Sequence, residues 1–371
     1  MDAIHSPPTF SPEYQAIVES WGKAFGFKFT SQDSALIRKN PAQSSDEKYS
    51  RRFLTQVSNV LSSFYPKTHE LTKALLTKQP SLPFISIPMG DVRTAASTLN
   101  RDEALSPKYY CVSQLSADMI QLFDQTQPNV MVASQFNALE SPGSSVSPLP
   151  YWPSDHTQGP RASLQSLSGA DLRCAAQELG TLPDAILPVL SSLSVDGRPI
   201  LEVYPSLYRN GYLCLTNVRD LNHLQLLKDH IESHITDLRL QMQWVKCEAT
   251  DTFQLQAFCA APSFQGMVVD WNQRTEKISL LRSICRILVV EQYRAVATIA
   301  ALNKRPFHLT SVGQGVFNNP PTVMVDCFKA IDEVLQGTDT KVYFHCWTRQ
   351  SALQWTQVLD RFGRKFEAKI D

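Results

Sequence analysis

The chain has 371 residues, of which 43% are hydrophobic and 19% charged; this fits a folded protein with a real core and excludes wholesale disorder. Lys and Arg together number 35, as do Asp and Glu, so the basic excess of a nonspecific nucleic-acid binder is absent. No run approaches the roughly 20 apolar residues that span a bilayer, and Met1 to Phe10 lacks the apolar stretch of a secretory signal.

Eight cysteines are scattered without a CxxC pair. A zinc ribbon needs tight pairs, so the expectation is buried, reduced thiols and no metal. The same features predict a cytoplasmic monomer with no nucleic-acid or membrane partner.

Ser11-Pro12-Glu13 reads as a helix start, with a capping hydroxyl followed by proline at the first helical position. Phe53, Val57, Val60, Leu61 and Phe64 then recur at helical spacing. Pro66 is expected to end that helix, and a second one holds Leu71, Ala74 and Leu75. Residues 1–80 are therefore predicted to form a helical extension or lid, with the main domain over 81–371. The Pro/Ser stretch at 36–48 is the only candidate linker.

The period then changes. Pro83 to Pro88 is short, apolar and β-branched, which predicts a strand. Residues 114–127 read as a helix. Val130 to Ala133 is a continuous apolar run with polar residues after it, the pattern of a buried parallel strand entering a functional loop. Residues 141–162 are rich in Pro, Gly and Ser and predict a long loop. A helix is expected over Leu164–Leu179, a strand over Tyr212–Thr216 and a helix over Leu221–Ile235. Leu238–Val245 and Phe253–Ala260 read as strands, and Ile278–Asn303 as a long amphipathic helix. His308–Val312 is a strand entering a Gly loop, followed by a helix at Val323–Leu335, a strand at Lys341–Cys346 and a closing helix at Ala352–Phe362. Strands alternating with helices predict an α/β layered fold around a mixed or largely parallel sheet.

Three stretches carry candidate chemistry. Ser311-Val312-Gly313-Gln314-Gly315-Val316-Phe317-Asn318-Asn319-Pro320-Pro321 follows a strand and precedes a helix. Two glycines one residue apart let the backbone turn its N–H groups toward a ligand, and the helix start adds positive charge. The stretch reads as a diphosphate cradle or as a plain turn. Neither GxGxxG nor a GK[ST] loop is present. Ala133-Ser134-Gln135-Phe136-Asn137-Ala138-Leu139-Glu140 places amides and a carboxylate at the end of a buried strand, suited to sugar hydroxyls or to capping the loop itself. Tyr151-Trp152-Pro153-Ser154-Asp155-His156-Thr157-Gln158-Gly159-Pro160 packs a carboxylate, an imidazole, a hydroxyl and an amide into one loop. Asp155 can orient water or stabilise a cationic ribose carbon, or the segment can cap the next helix. A Ser-His-Asp hydrolase fits poorly, for there is no GxSxG.

These stretches, in this order, together with Tyr208-Arg209-Asn210-Gly211-Tyr212 and Phe258-Cys259-Ala260-Ala261-Pro262, resemble macrodomains, the ADP-ribose-binding α/β/α fold. The likeness runs to a divergent branch that includes the arginine-specific bacterial effector MavL. It spans about residues 130–346. The resemblance implies a three-layer α/β/α macrodomain-like mixed sheet with an N-terminal helical extension. It implies hydrolysis of ADP-ribose from protein side chains, arginine above all, with no cofactor and no metal. The leaving guanidinium and an oxocarbenium-like ribose would both need a nearby carboxylate.

The implied roles follow. Asp155 is the catalytic carboxylate, with Glu140 and Asp270 as further acidic candidates. Gln135, Phe136 and Asn137 meet the distal ribose, and Thr157 and Gln158 join the binding set. Gly313, Gln314, Gly315, Val316, Phe317 and Asn318 hold the diphosphate, with Phe317 near the ribose or adenine. Asp91, in Ile87-Pro88-Met89-Gly90-Asp91-Val92, accepts the adenine amino group. Two departures stand out. Gln314 and Asn318 occupy positions where the family has glycine, which predicts a narrower cradle. Arg161, Asp171, Arg173 and Glu178 fall where small or neutral residues are usual. The partner is ADP-ribose or an ADP-ribosylated protein, in the chain's own cytoplasm or, for a secreted effector, in a host cell. Two other readings are a non-catalytic ADP-ribose or nucleotide-binding module, and an interaction protein whose N-terminal helices dock a partner.

Overall fold

In the computed structural model, which describes residues 2–25, 47–79, 84–113, 128–139, 167–246, 253–346, 349–360 and 366–370, one mixed sheet organises the chain. Its strands are β1 (Phe84–Pro88), β2 (Lys108–Ser113), β3 (Asn129–Ala133), β8 (Arg239–Lys246), β9 (Phe253–Cys259), β10 (Phe307–Leu309), β11 (Lys341–Cys346) and β12 (Phe366–Ile370). They lie in the order β1-β8-β9-β3-β10-β11-β2-β12. Only β8 runs against its neighbours; every other pair, from β9 to β12, is parallel. Two small hairpins, β4 (Ser194–Val195) with β5 (Arg198–Pro199) and β6 (Tyr208–Arg209) with β7 (Tyr212–Leu213), lie outside the sheet.

Helices cover both faces. They are α1 (Pro12–Phe25), α2 (Glu47–Lys78), α3 (Met89–Ala96), α4 (Leu167–Glu178), α5 (Leu187–Ser192), α6 (Ile200–Val203), α7 (Leu221–Ser233), α8 (Glu276–Asn303), α9 (Thr322–Leu335) and α10 (Arg349–Asp360). The two faces differ in chemistry. One presents Leu240, Met242, Trp244, Leu255, Ala257, Met131, Phe307, Leu309 and Phe344 to α8, α9 and α10 in a continuous apolar core. Phe344 meets Phe328 of α9 and Trp355 of α10, both edge to face. The other face carries Gln241, Gln243, Gln254, Gln256 and His308, all buried. On it His308 stacks on Tyr343, which stacks on Tyr110, and His308 Nδ1 lies 3.0 Å from His345 Nε2. Burial holds both imidazoles neutral, with His345 pushed down to about 4.

Buried polar groups are costly unless hydrogen-bonded. On the polar face α4 supplies partners: Arg173 donates to Gln243 Oε1 at 2.8 Å and lies over the Phe258 ring. Gly169 has no side chain because Val245 would sit 3.2 Å from a Cβ there. The layer continues outward. Tyr14, Ile17 and Val18 of α1 and Tyr65, Leu75 and Leu76 of α2 pack with Leu172, Ala175 and Ala176 of α4. At its centre His69 Nδ1 lies 2.6 Å from Asp171, Thr72 Oγ1 donates to Asp171 at 2.6 Å, and His69 Nε2 lies 3.3 Å from Glu178. Asp171 and Glu178 thus hold α2, and Arg173 holds the sheet.

Several sequence expectations change. Pro66 lies inside α2 instead of ending it. A mid-helix proline costs about 3 kcal/mol, but Tyr65, His69, Thr72, Leu75 and Leu76 on both sides of it are all buried, most of them against α4. The closing helix is followed by a further strand, β12, and β2 was not anticipated at all. Both are short and mix charged with apolar residues, so their period of two is faint. Ile87–Val92 is a strand end running straight into helix α3. Tyr212–Thr216 is a two-residue strand and then a 3-10 turn. Ser11 does cap α1, accepting from Tyr14 N at 3.3 Å. The helix expected at 114–127, the loop at 141–162 and most of the 36–48 linker lie outside the described residues.

Breaking the buried His69–Asp171 pair leaves an uncompensated charge, so Asp171→Ala should cost about 3–5 kcal/mol in urea unfolding. Burial opposes the charged form of His69, but Asp171 and Glu178 outweigh it and raise its pKa above 6.5. Its contribution should therefore be full below about pH 6.5 and fade as pH rises through the raised value. Urea midpoints from pH 6 to 9 should show that slope, and His69→Gln should flatten it.

Candidate functional site

Because every strand but β8 points the same way, the C-terminal ends of β9, β3 and β10, three adjacent strands, open onto one edge. Ligands of open α/β sheets bind at that edge, where loops leave the strands. Three segments emerge there: 260–264 after β9, 134–139 after β3 and 310–321 after β10.

The segment after β3 is a tight knot. Ser134 N donates to Cys259 O at 2.9 Å, and Gln135 N donates to Leu139 O at 3.0 Å. Ala138 takes a φ of 58° to close the turn. Phe136 N donates to Gly211 O at 3.0 Å, which brings up the β6–β7 hairpin. Asn210 and Gly211 both have positive φ, 46° and 79°, as a two-residue type I′ turn requires. Asn210 Oδ1 accepts from Asn137 Nδ2 at 3.2 Å and from Gln177 Nε2 at 2.7 Å. A Cβ on Gly211 would lie 2.4 Å from Asn137 Oδ1, so glycine there lets Asn137 keep its place. Nearby, Tyr208 donates to Asp184 at 2.5 Å; burial raises the Asp184 pKa against that bond and those from Ile186 N and Leu187 N.

The segment after β10 is a cradle. Gly313 has a φ of 79°, and a Cβ on it would meet the Ala261 Cβ at 2.6 Å. Asn319 N donates to Gly313 O at 2.9 Å, and Asn319 Nδ2 donates to Pro262 O at 2.7 Å, tying the loop to the end of β9. Asn318 adopts a φ of 50°, a left-handed conformation that asparagine tolerates, so the position works without glycine. Gln314 turns its amide back to Pro320 O at 3.3 Å. Among the described residues, the backbone N–H groups of Gly315, Val316 and Phe317 make no hydrogen bond within the protein. Nothing stands within 4 Å of a Cβ on Gly315. The loop then enters α9, whose N-terminus adds partial positive charge. Phe317 lies 5.4 Å from Tyr212, ring to ring, which closes the space between cradle and hairpin.

Two consecutive residues of α8 support this edge from below. Gln292 accepts from Ala260 N at 2.7 Å and donates to Ala260 O at 2.8 Å. Tyr293 donates its hydroxyl proton to Thr310 O and accepts from Val312 N at 2.9 Å. Sequence reading missed both, along with Asn210, Gly211 and Asn319 as supports. The signal was a polar pair inside the apolar run of α8, and an Asn-Gly between two short strands.

The structure thus brings Gln135, Phe136 and Asn137, all buried, next to the strand that feeds Gly313, Gln314, Gly315, Val316, Phe317 and Asn318. Asp270 is exposed, in a turn where its Oδ1 accepts from Asn272 N at 3.0 Å. Asp91 is exposed in the first turn of α3; it shares the edge, but β8 and β9 separate its strand from β3, and no described bond links it to the cradle. Asp155, Glu140, Thr157 and Gln158 lie outside the described residues.

Gly313→Ala combines a strained φ with a clash and should cost at least about 1 kcal/mol, whereas Gly315→Ala should stay within about 0.5 kcal/mol of the parent in the same unfolding assay. Gln292→Leu should cost about 1–3 kcal/mol, since both backbone groups of Ala260 lose their partner.

No family model matches the chain, and no curated protein matches its sequence. Among solved structures, poly(ADP-ribose) glycohydrolase from Deinococcus radiodurans, in two crystal forms with ADP-ribose, is similar at 15% identity and TM-scores of 0.39 and 0.40. The alignments cover 75% of this chain and 94% and 95% of those chains. A likeness of that size establishes neither the family nor the activity of this chain.

Proposed function

We propose that the chain binds ADP-ribose at the edge formed by β9, β3 and β10 and removes it from modified protein side chains, arginine above all. The observation that carries the reading is the row of unpaired N–H groups on Gly315, Val316 and Phe317, ahead of the N-terminus of α9. Such a row is a receptor for a phosphate oxygen. Asn137, fixed by Asn210 and by Leu139 N in the turn after the adjacent strand β3, is the amide this reading gives to the ribose hydroxyls. The Phe317 ring supplies an apolar wall for ribose or base. These are the roles that the macrodomain resemblance assigns to the same residues.

The chemical step in this reading is hydrolysis at the anomeric carbon. Water adds to that carbon as the bond to the guanidine nitrogen breaks, and the guanidine leaves with a proton. Asp155 is the carboxylate assigned to the cationic ribose and the departing guanidinium. A binding module without cleavage is the second reading; the fold-back of Gln314 onto Pro320, which narrows the loop, is the observation in its favour.

Calorimetric titration with free ADP-ribose tests the site. Binding should appear with the parent chain and vanish with Gly315→Glu, whose side chain enters open space and so spares the fold. No heat and no thermal shift with the parent would refute the reading. Asp155→Ala should keep binding and abolish release of ADP-ribose from an arginine-modified protein; undiminished release would remove Asp155 from the mechanism, and no release by the parent would leave the binding module.

A further inference from the structure

Away from the cradle, a cleft of about 530 Å³ opens between α3, α8 and α9, with Glu232 and Ile235 at the end of α7 in its wall. Its base on α8 is the stripe Arg286, Val290 and Arg294, spaced four residues apart, which this largely buried helix leaves open. Ile287 beside the stripe, Val92 of α3 and Val334 of α9 add apolar surface. Arg93 and Arg101 complete a set of four arginines around it. None of the lining residues belongs to the loops of the candidate site.

The charges of the cleft do not cancel evenly. Glu291 lines it and is only 6% exposed. A buried carboxylate is unfavourable without counter-charges. Arg93 Nε donates to its Oε1 at 2.5 Å, and Arg294 Nε lies 3.9 Å from its Oε2. The other carboxylates are engaged too. Glu333 accepts from Arg294 at 2.9 Å and Glu232 from Lys228 at 2.8 Å. Asp326 on α9 accepts from Arg286 at 2.9 Å and has Lys329 at 3.7 Å. Asp91 and Asp102 do not line the cleft. Arg101 meets the Glu333 carbonyl at 3.4 Å and, among the described residues, pairs with no carboxylate.

A guanidinium has five N–H donors and no acceptor. Each of the four arginines makes one hydrogen bond among the described residues, so most of their N–H groups are left to solvent or to a ligand. A cationic ligand would have to break an existing pair. An oxyanion finds donors already in place, and Arg93 is held ready by Glu291.

We infer that this cleft binds a small organic oxyanion, a carboxylate or a phosphate ester, whose charge meets Arg101 and the terminal nitrogens of Arg93 while its apolar body lies on Val290 and Ile287. The volume is that of a small-molecule site.

Saturation-transfer NMR titration of the full chain tests the cleft, with phenyl phosphate, benzoate and benzylamine as probes that share a ring and differ in charge. At least one of the two anions should saturate by millimolar concentration, the tighter one naming the head group, and benzylamine should bind at least about tenfold more weakly. Arg101 is exposed and bonded only to a carbonyl, so Arg101→Gln spares the fold and should weaken the anion about tenfold. Gly315→Glu, whose side chain enters the cradle, should leave anion binding unchanged. No saturation by either anion, equal binding of benzylamine, or an affinity untouched by Arg101→Gln overturns the cleft. Loss of the anion in Gly315→Glu assigns it to the cradle and overturns the cleft as well.

Discussion

Two neighbouring side chains on one buried helix hold the ends of two strands. Gln292 pairs with both backbone groups of Ala260, and the Tyr293 hydroxyl bridges Thr310 O and Val312 N. Where a strand ends, its backbone groups lose their ladder partners, and buried ones must find others. Supplying these from a rigid helix fixes where the chain leaves the sheet. The cradle after β10 and the turn after β9 inherit that position, and Asn319 then locks one to the other through Pro262 O. Placement of the site depends on the rotational setting of α8 more than on any residue that would touch a ligand.

The two faces of the sheet solve different problems. The apolar face needs only close packing from α8, α9 and α10. The opposite face, with four buried glutamines and His308, needs partners with matching donors and acceptors. Arg173 of α4 meets Gln243, and Asp171 and Glu178 on the same helix meet His69. One short helix thereby joins the sheet to α2 through polar contacts, while α1 packs on it through apolar side chains. Such contacts tolerate few alternative dockings, because a shifted helix would strand charges without partners.

The candidate site shows how much backbone conformation non-glycine residues can carry. Ala138, Asn210 and Asn318 all take positive φ around it, and each stands in a turn closed by hydrogen bonds. Asn318 adopts a left-handed conformation at modest cost. Gly211 and Gly313 differ, since a side chain at either would strike Asn137 or Ala261. The glycines required here are those that let two loops touch, whereas a side chain at Gly315 would meet nothing within 4 Å of its Cβ.

Much of this was legible in one dimension. The capping Ser11, the alternation of strands and helices, the apolar run of β3 and the Gly loop before α9 are local patterns, set by periodicity and by backbone preferences that act over a few residues. Other features were not. Pro66 argues locally for a break, and only the buried contacts of α2 with α4 override it. β2 and β12 gain their structure from the ladder they share, because five or six residues of mixed polarity have weak intrinsic preference. The polar pair on α8 looked like an interruption in an apolar helix until the strand ends were placed against it. Local chemistry determined which elements form and which loops can bend; the choice of which loops meet, and of which buried polar groups find partners, belonged to contacts between residues far apart in the chain, whose energies appear only once the sheet order is set.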